Sequence, residues 1–307
     1  MARLGRRAVL LGGLSGLIAG CGASPPPAPA GTQTPPPAPT TTPASVEPQF
    51  AALEKAFGGR LGVCALDTGN GATVGYRGGE RFLMCSTHKV LVVAAVLRLR
   101  TTQPGLLERV IHYDRSQLQK YAPVTSQHVA DGMSVSDLCH ASITQSDNTA
   151  ANLLTGLAGG PAAATAFVRT LGDPLTRLDR LEPDLNVTTP GDERDTTTPD
   201  RIAADLAALA VGGALDPAGR DLLDGWLAAS VTGAKLVRAG VPDGWQVGDK
   251  SGTGSQGETN DVAVVRPPGR APLVFAVYTA PTDPASKAGP ATIAQAAAIA
   301  AKVLVPG

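Results

Sequence analysis

Two side chains near residue 86 have the types and the spacing that nucleophilic chemistry needs. The segment STHK at residues 86–89 places Ser86 at the start of an apolar run without Gly or Pro, which predicts a buried helix over 86–100. Lys89 lies three residues further on, so a helix would carry both side chains on one face. An amine placed there can accept the serine proton if burial or a neighbouring charge lowers its pKa. The alternative is a helix-capping serine followed by a surface lysine.

Two further motifs bring hydroxyls, amides and a second cation. Residues 146–148 (SDN) lie between two helical patterns, where a polar loop or a helix cap would also explain them. Residues 250–254 (KSGTG) follow a predicted strand and combine a cation, two hydroxyls and glycines that let another backbone approach closely. The overlapping G-x-G-x-x-G at 252–257 precedes a strand, whereas a dinucleotide site requires a helix there. We therefore interpret it as a turn between strands.

A charged segment at residues 177–186 (RLDRLEPDLN) supplies carboxylates and an amide beyond the second motif. It contains Glu182 and, four residues later, Asn186, and the run DTTTP follows at 195–199. Taken alone, this composition is equally consistent with a solvated loop. Its chemistry therefore depends on where the fold places it.

Elements from both ends of the chain must position these motifs. The predicted elements are, in order, a helix over 50–57, strands at 60–65 and 73–76 around a turn at 68–71, the helix over 86–100, mostly helical patterns through 106–225, strands beginning at 245, 262 and 274, and an Ala-rich helix over 292–304. This order predicts an α+β fold, an α/β sandwich with a mainly antiparallel sheet built from both chain ends and an inserted all-helical subdomain at about 86–230. The active site is expected at their interface.

Composition excludes several classes of protein. The 307 residues carry 26 Lys and Arg against 26 Asp and Glu, and such zero net charge argues against a nucleic-acid-binding protein. Four cysteines in a chain of this length do not make a disulfide scaffold. No Cys and His cluster has zinc-site spacing, so we expect no metal and no other cofactor.

The first 20 residues have the pattern of an export signal. Arg3, Arg6 and Arg7 precede an apolar stretch of about 13 residues, too short to cross the roughly 30 Å hydrocarbon core of a bilayer. The run IAGC at 18–21 resembles a bacterial lipobox and predicts lipidation of Cys21. An ordinary cleaved signal followed by a chance cysteine is the alternative.

Residues 21–48 form the predicted linker, a lipidated cysteine followed by a Pro-rich tether that has little to bury. The predicted folded domain covers 49–307. Loss of the three signal arginines leaves 23 basic residues against 26 acidic ones, a net charge of −3. The expected location is outside the cytoplasmic membrane, held to the cell envelope by the lipid, with a soluble secreted form as the alternative.

Taken together and in this order, the motifs resemble a known signature. S-x-x-K, S-D-N and K-T-G are shared by class A β-lactamases and penicillin-binding proteins. The chain resembles the class A serine β-lactamases in particular, within the penicillin-recognising serine acyltransferases, over about residues 46–307. The separations also fit that class: 60 residues from Ser86 to Ser146, 36 to Glu182 and 68 to Lys250.

The resemblance implies that the chain opens β-lactam antibiotics by acyl transfer and so gives resistance to them. Ser86 would attack the ring carbonyl, and Lys89, or Glu182 through a water, would accept its proton. Ser146 would pass a proton to the ring nitrogen, with electrostatic support from Lys250. Glu182 would then activate water against the acyl-enzyme.

The same resemblance implies the binding residues. The backbone amides of Ser86 and Thr253 would form the oxyanion hole. The implied substrate contacts are a side-chain amide bond from Asn148, carboxylate bonds from Ser251 and Thr253, a cleft wall at Tyr121, and a water held by Asn186. An ion pair between Arg180 and Asp195 would brace the loop that carries Glu182. We expect a monomer.

Several positions depart from the family pattern. His88 stands where Phe is usual and is expected to pack beside the nucleophile. Leu236 and Thr259 occupy the usual arginine positions, which leaves Lys235 or Arg238 as candidates for meeting the substrate carboxylate. The positions that pair with cysteines in relatives hold other residues here, so free buried thiols are expected at Cys64, Cys85 and Cys139.

Two other functions fit the same motifs. A penicillin-binding D,D-peptidase-like enzyme would acylate at Ser86 and remain blocked, because nothing would activate the water. A penicillin-recognising lipoprotein without hydrolytic activity would only bind. Glu182 and the full set of catalytic side chains favour the hydrolase.

Overall fold

The computed structural model describes residues 46–187 and 189–306. The predicted signal, Cys21 and nearly all of the predicted linker lie outside the described residues. The first elements are a helix and a hairpin, and α1 begins at Glu47, one residue before the end of the predicted linker. Their bounds are α1 Glu47–Phe57, β1 Gly59–Asp67, β2 Thr73–Tyr76 and the short β3 Phe82–Leu83.

The middle of the chain contains most of the helices. A single 3₁₀ turn at Cys85–Thr87 leads into the first of them. The elements that follow are α2 His88–Leu99, β4 Val110–Ile111, β5 Met133–Ser134, α3 Val135–Thr144, α4 Asn148–Leu157, α5 Pro161–Thr170, β6 Thr196–Thr197, α6 Pro199–Ala210 and α7 Pro217–Ala228.

The last part of the chain returns to the sheet. It comprises α8 Val237–Gly240, β7 Gln246–Thr253, β8 Thr259–Arg266, β9 Leu273–Pro281 and α9 Gly289–Leu304. The sheet has the order β2-β1-β9-β8-β7, and all its neighbouring strands are antiparallel. Both chain ends therefore contribute to one antiparallel sheet, which confirms the predicted α+β fold.

The sheet separates two apolar cores. On one face α1 and α9 pack through residues such as Phe50 and Ile293, and on the other the central helix α2 packs with the remaining helices. Ten of the twelve residues of α2 are buried, from His88 through Leu97. This burial fixes the depth of its first turn, where Lys89 lies.

Residues 106–134, 171–187 and 189–198 differ from the mostly helical prediction, because they form turns, 3₁₀ segments and two-residue strands. Buried carboxylates replace helical hydrogen bonds there. Asp147 accepts hydrogen bonds from the backbone N–H groups of Val124, Thr125 and Ala150. Among the described residues, no helix has the length and apolarity needed to cross a membrane.

Candidate active site

Ser86 lies in the 3₁₀ turn that precedes α2, so its hydroxyl is at the amino end of the most buried helix. The segment before it is held from two sides. Asn260 Nδ2 on β8 donates to the Leu83 carbonyl oxygen at 2.8 Å, and the Met84 N–H donates to the Asp195 carbonyl oxygen at 2.9 Å. Cys85, directly before Ser86, has a φ of 48°, in the left-handed region. These contacts hold a strained backbone at the nucleophile.

Lys89 is the polar centre of the site, and the surface-lysine alternative is wrong because its side chain is fully buried. Its Nζ lies 3.0 Å from Ser86 Oγ and 3.2 Å from Ser146 Oγ. It also donates to the Ser146 carbonyl oxygen at 2.8 Å and to Asn148 Oδ1 at 2.6 Å. One ammonium therefore connects the first two motifs.

Glu182 completes this centre from the charged loop. Its Oε1 lies 3.1 Å from Lys89 Nζ and 3.4 Å from Ser86 Oγ. Asn186 Nδ2 donates to its other carboxylate oxygen, Oε2. The carboxylate is therefore held between the nucleophile and an amide, in a position to orient a water directed at Ser86.

Asn152 on α4 holds the backbone of Glu182, a role that the sequence analysis missed. Asn152 Nδ2 donates to the Glu182 carbonyl oxygen, and the Glu182 N–H donates to Asn152 Oδ1, both at 2.9 Å. In sequence, Asn152 reads as one more polar residue of a helix. Only the packing of α4 against the Glu182 loop shows that the Asn152 amide bonds both the N–H and the carbonyl oxygen of Glu182.

The neck of the loop is closed by the predicted brace. Arg180 Nε donates to Asp195 Oδ2 at 2.6 Å. The N–H groups of Asp179 and Arg180 donate to Asp195 Oδ1 at 2.7 and 3.0 Å. Asp195 is buried, and its own carbonyl oxygen accepts the bond from Met84, so one residue joins the loop neck to the nucleophile segment.

Ser146 and Lys250 meet across the cleft. Lys250 Nζ on β7 donates to Ser146 Oγ at 3.0 Å and to the Ser251 carbonyl oxygen at 2.8 Å. Ser146 has a φ of 58°, and Asp147 beside it caps α4. The Ser146 hydroxyl thus lies within hydrogen-bond distance of both Lys89 and Lys250.

The end of β7 forms the opposite wall. A Cβ at Gly252 would lie 3.0 Å from the Met84 carbonyl oxygen and 3.2 Å from the Ser86 backbone nitrogen, so a larger residue here would press on the nucleophile segment. Ser251 Oγ donates to Thr232 Oγ1 at 2.7 Å, and the sequence analysis did not single out Thr232. Thr253 is exposed at the strand end, and Tyr121 is 52% exposed, with its carbonyl oxygen accepting from the Asn148 N–H.

Burial and mutual charge set the protonation of the site. Burial lowers the pKa of Lys89, against the opposing effect of the Glu182 charge. Burial is the largest single effect and would raise the pKa of Glu182, but the Lys89 charge and smaller contributions, among them the hydrogen bonds from Lys89 and Asn186, together hold that pKa below its usual value. Burial, reinforced by the Lys89 charge, lowers the pKa of Lys250 to about 7. Glu182 is therefore held in its ionised form, and both lysines lose their protons more readily than an exposed lysine would.

The residues that depart from the family pattern occupy defined places. His88 is buried, its Nδ1 lies 2.8 Å from the Cys85 carbonyl oxygen, and burial lowers its pKa to about 4. Arg238 forms an ion pair with Asp249 at 2.8 Å, whereas Lys235 lines a cavity beside Ser251 and Thr253. The expected free, buried thiols are confirmed at Cys64, Cys85 and Cys139.

Comparison with known proteins identifies the family of the chain. The model of a family described as the beta-lactamase enzyme family matches residues 45–304. The β-lactamase FAR-1 of Nocardia farcinica is 48% identical over 96% of this chain and 95% of its own length. The carbapenem-hydrolysing β-lactamase KPC of Klebsiella oxytoca is 45% identical over 96% of each chain.

Solved structures extend the similarity to three dimensions. A class A β-lactamase from Mycobacterium abscessus is 52% identical and superposes with a TM-score of 0.82. The match covers 84% of this chain and 99% of that one. Because the family model and these relatives cover most of its length, the chain belongs to the beta-lactamase enzyme family, as a class A serine β-lactamase.

Proposed function

We propose that this class A β-lactamase opens β-lactam antibiotics through an acyl-enzyme on Ser86, which a water activated by Glu182 then hydrolyses. One observation carries the proposal. Lys89 Nζ lies 3.0 Å from Ser86 Oγ and 3.1 Å from Glu182 Oε1, so the nucleophile and the carboxylate share one buried cation. Acylation and deacylation can therefore use the same proton network.

Acylation begins with loss of the Ser86 proton. Two acceptors lie within reach: Lys89 Nζ, directly, and Glu182 Oε1 at 3.4 Å, directly or through a water. Burial lowers the pKa of Lys89, which favours a neutral amine as acceptor. When Lys89 is protonated, the Glu182 carboxylate is the stronger acceptor of the Ser86 proton. The two routes therefore differ only in whether Lys89 is neutral or protonated before acylation.

The tetrahedral intermediate is stabilised at the end of β7. The Ser86 and Thr253 backbone amides act as the oxyanion hole, supported by the close packing of Gly252 against the Ser86 nitrogen. Loss of one such donor typically costs about 3 to 4 kcal/mol of transition-state stabilisation. Ser146 then protonates the leaving ring nitrogen, and Lys250, 3.0 Å from its hydroxyl, restores that proton.

Deacylation distinguishes this enzyme from a penicillin-binding D,D-peptidase-like protein or a lipoprotein that only binds. Glu182 and Asn186 hold a water against the ester carbonyl, and Glu182 takes its proton. The buried Glu182 carboxylate, kept ionised by Lys89, supports this step. Neither alternative requires such a carboxylate beside the nucleophile.

Substrate contacts line the rest of the cleft. Asn148 bonds the side-chain amide of the antibiotic, and Tyr121 covers it from the exposed rim. The hydroxyls of Ser251 and Thr253 hold its carboxylate at the end of β7. All these side chains come from one chain, which supports a monomer as the active form.

The test combines a chromogenic cephalosporin with intact-protein mass measurement. Wild type is expected to turn over without a lasting adduct, Glu182→Ala to accumulate a one-to-one acyl adduct, and Ser86→Ala to form none. A wild type that does not turn over and keeps its adduct would instead support the D,D-peptidase-like function. Equal deacylation in wild type and Glu182→Ala would contradict the role of Glu182.

We also propose that the enzyme is exported and anchored to the cell envelope by a lipid on Cys21. The run IAGC at 18–21 and the preceding basic and apolar stretches support this proposal. The Pro-rich segment before the domain would then act as a spacer between membrane and enzyme. The substrate and the membrane are thus the two proposed partners.

A further inference from the structure

One side chain beside the nucleophile makes a contact that the residue usual at its position could not make. His88 is 2% exposed, and its Nδ1 lies 2.8 Å from the carbonyl oxygen of Cys85. Burial lowers the pKa of His88 to about 4, so the ring carries a single proton at neutral pH. A carbonyl oxygen only accepts hydrogen bonds, so this proton must be on Nδ1. The phenylalanine that is usual at this position has no such donor.

The bond acts on one particular peptide group. The Cys85 carbonyl and the Ser86 N–H belong to the same planar unit, so fixing the direction of one fixes the direction of the other. The Cys85 oxygen also accepts the backbone N–H of His88. With the ring bond, both lone pairs of this oxygen have donors, and the peptide is held from the side of α2.

This peptide follows a backbone conformation that needs support. Cys85 has a φ of 48°, a value that residues other than glycine rarely adopt. Such conformations persist where the surrounding contacts over-determine them. On the other side of the peptide, the Ser86 nitrogen faces β7, where a Cβ added to Gly252 would lie 3.2 Å from it. The ring bond from His88 is therefore one of the contacts that set the direction of the Ser86 N–H.

The bond also affects how strongly that N–H donates. A donor at the carbonyl end of a peptide draws electron density towards the oxygen and leaves the N–H more positive. Hydrogen bonds that polarise one another in this way gain about 10 to 30% in strength per bond. Because the His88 ring is buried, little water competes for the Cys85 oxygen.

We propose that His88 is a positioning residue for the oxyanion hole, because its Nδ1–H orients and polarises the peptide whose Ser86 N–H stabilises the oxyanion. This inference rests on the proposed acyl-transfer function and adds a residue that acts through the backbone. Acylation and deacylation both pass through an oxyanion, so both steps should depend on His88. Loss of a whole oxyanion donor slows a reaction about 100- to 1000-fold, so weakening one by 10 to 30% corresponds to about two- to eight-fold.

Infrared spectroscopy reads the oxyanion hole directly, because its hydrogen bonds lower the stretching frequency of the acyl carbonyl. The sample is Glu182→Ala, which should accumulate the acyl-enzyme, treated with a penicillin isotopically labelled at its ring carbonyl. Adding His88→Phe, which keeps an aromatic ring without the N–H, should move the labelled band to higher wavenumber. His88→Asn can place an amide nitrogen where Nδ1 stands and should move the band back. His88→Gln places its amide further out, near the position of Nε2, and should not.

Kinetics of the enzyme with Glu182 intact gives an independent readout. His88→Phe is expected to slow acylation and deacylation of a chromogenic cephalosporin each about two- to eight-fold. His140→Phe changes an exposed histidine on α3 and should leave both rates as in wild type. Slowing of deacylation alone would show that His88 acts through Glu182, which overturns the inference.

The tautomer of His88 can be tested without changing the residue. The chain has four histidines, and replacing the three exposed ones by Gln leaves the ring-nitrogen NMR signals of His88 alone; the three are His112, His128 and His140. We expect a proton on Nδ1. A proton on Nε2 instead, or a carbonyl band that His88→Phe does not move, overturns the inference and leaves hydrolysis intact. If Glu182→Ala with His88 in place forms no acyl adduct, the proposed function itself fails.

Discussion

Lys89 Nζ lies 3.1 Å from Glu182 Oε1, and neither side chain is exposed to solvent. Each group opposes the effect of burial on the other. The lysine holds the pKa of Glu182 below its usual value, and the carboxylate partly offsets the lowering of the Lys89 pKa by burial. Removing either partner would leave the other as an unpaired buried charge.

Lys89→Met is therefore expected to impair both steps of the reaction. Without the cation, the effect of burial on Glu182 is opposed less, so the pKa of this group rises and a smaller fraction of it is available as a base. We expect kcat/KM to fall by at least about 100-fold, within the range attributed to general-base catalysis. Stopped-flow and mass measurement would show slow acylation, and a deacylation rate that rises with pH through a higher midpoint than in wild type.

The outcome that contradicts this coupling is an unchanged deacylation midpoint in Lys89→Met. Lys55→Met, on the exposed surface of α1, is the control for charge removal elsewhere. It should leave both the rate and the midpoint as in wild type.

Lys250 should produce an alkaline limit to activity. Its pKa of about 7 means that the ammonium that donates to Ser146 Oγ is present below that pH and is lost above it. We expect kcat/KM for a carboxylate-bearing substrate to decline as pH rises through about 7. Lys250→Arg, which stays charged, should have a lower rate but no decline in this range. A wild-type profile that stays flat from pH 6 to pH 9 would sink this assignment.

Asn152 should act on deacylation through the position of Glu182. Asn152→Ala removes both hydrogen bonds to the Glu182 backbone, and a shift of the carboxylate by a fraction of an ångström moves the water it holds. We expect deacylation to slow about 10- to 100-fold with a smaller effect on acylation. Asn152→Asp keeps the acceptor for the Glu182 N–H, so its deacylation rate should lie between those of wild type and Asn152→Ala. Equal slowing of both steps would show a general loss of structure instead.

The anchor can be tested by fractionation and lipid labelling. Wild type is expected in the membrane fraction and labelled by a fatty-acid precursor. Cys21→Ala removes the thiol that accepts the lipid, so the protein should become soluble and unlabelled. Ser24→Ala changes a neighbour in the same segment and serves as the control. Unchanged membrane association and labelling of Cys21→Ala would contradict lipidation at this residue.

Local patterns predicted the sheet and its motifs well because their signals are short-range. The turn pattern at 68–71 marked the hairpin, and its predicted return strand at 73–76 coincides with β2. The resemblance to the class A signature, carried by the order and spacing of the motifs, implied that Ser86, Ser146 and Lys250 would meet, as they do in the structure.

Features that depend on tertiary contact were beyond such patterns. Asn152 looks like an ordinary polar helix residue in sequence, and only packing brings its side chain to the Glu182 backbone. The spacing of apolar residues over 106–134 predicts helices. In the structure these apolar residues instead anchor loops to the core. The buried Asp147 carboxylate accepts hydrogen bonds from the Val124 and Thr125 N–H groups, which in a helix would bond to backbone carbonyls.

Asp205 should make the stability of the fold depend on pH. It is buried on α6, and burial together with the charge of Asp173 raises its pKa to about 9. The folded protein therefore binds a proton that the unfolded chain releases near pH 4, so this group stabilises the fold at acid pH and loses that contribution as pH rises towards 9. The free energy of unfolding should fall by up to about 1.4 kcal/mol per pH unit from this group.

Asp205→Asn should remove that slope, because the amide keeps the shape of the protonated acid without titrating. Urea unfolding at pH 6 and pH 8.5 is expected to show the variant gaining stability relative to wild type as pH rises. Asp221→Asn, an exposed acid on α7, should run parallel to wild type at both pH values. The same difference between Asp205→Asn and wild type at pH 6 and pH 8.5 would mean that Asp205 does not hold its proton in the folded state.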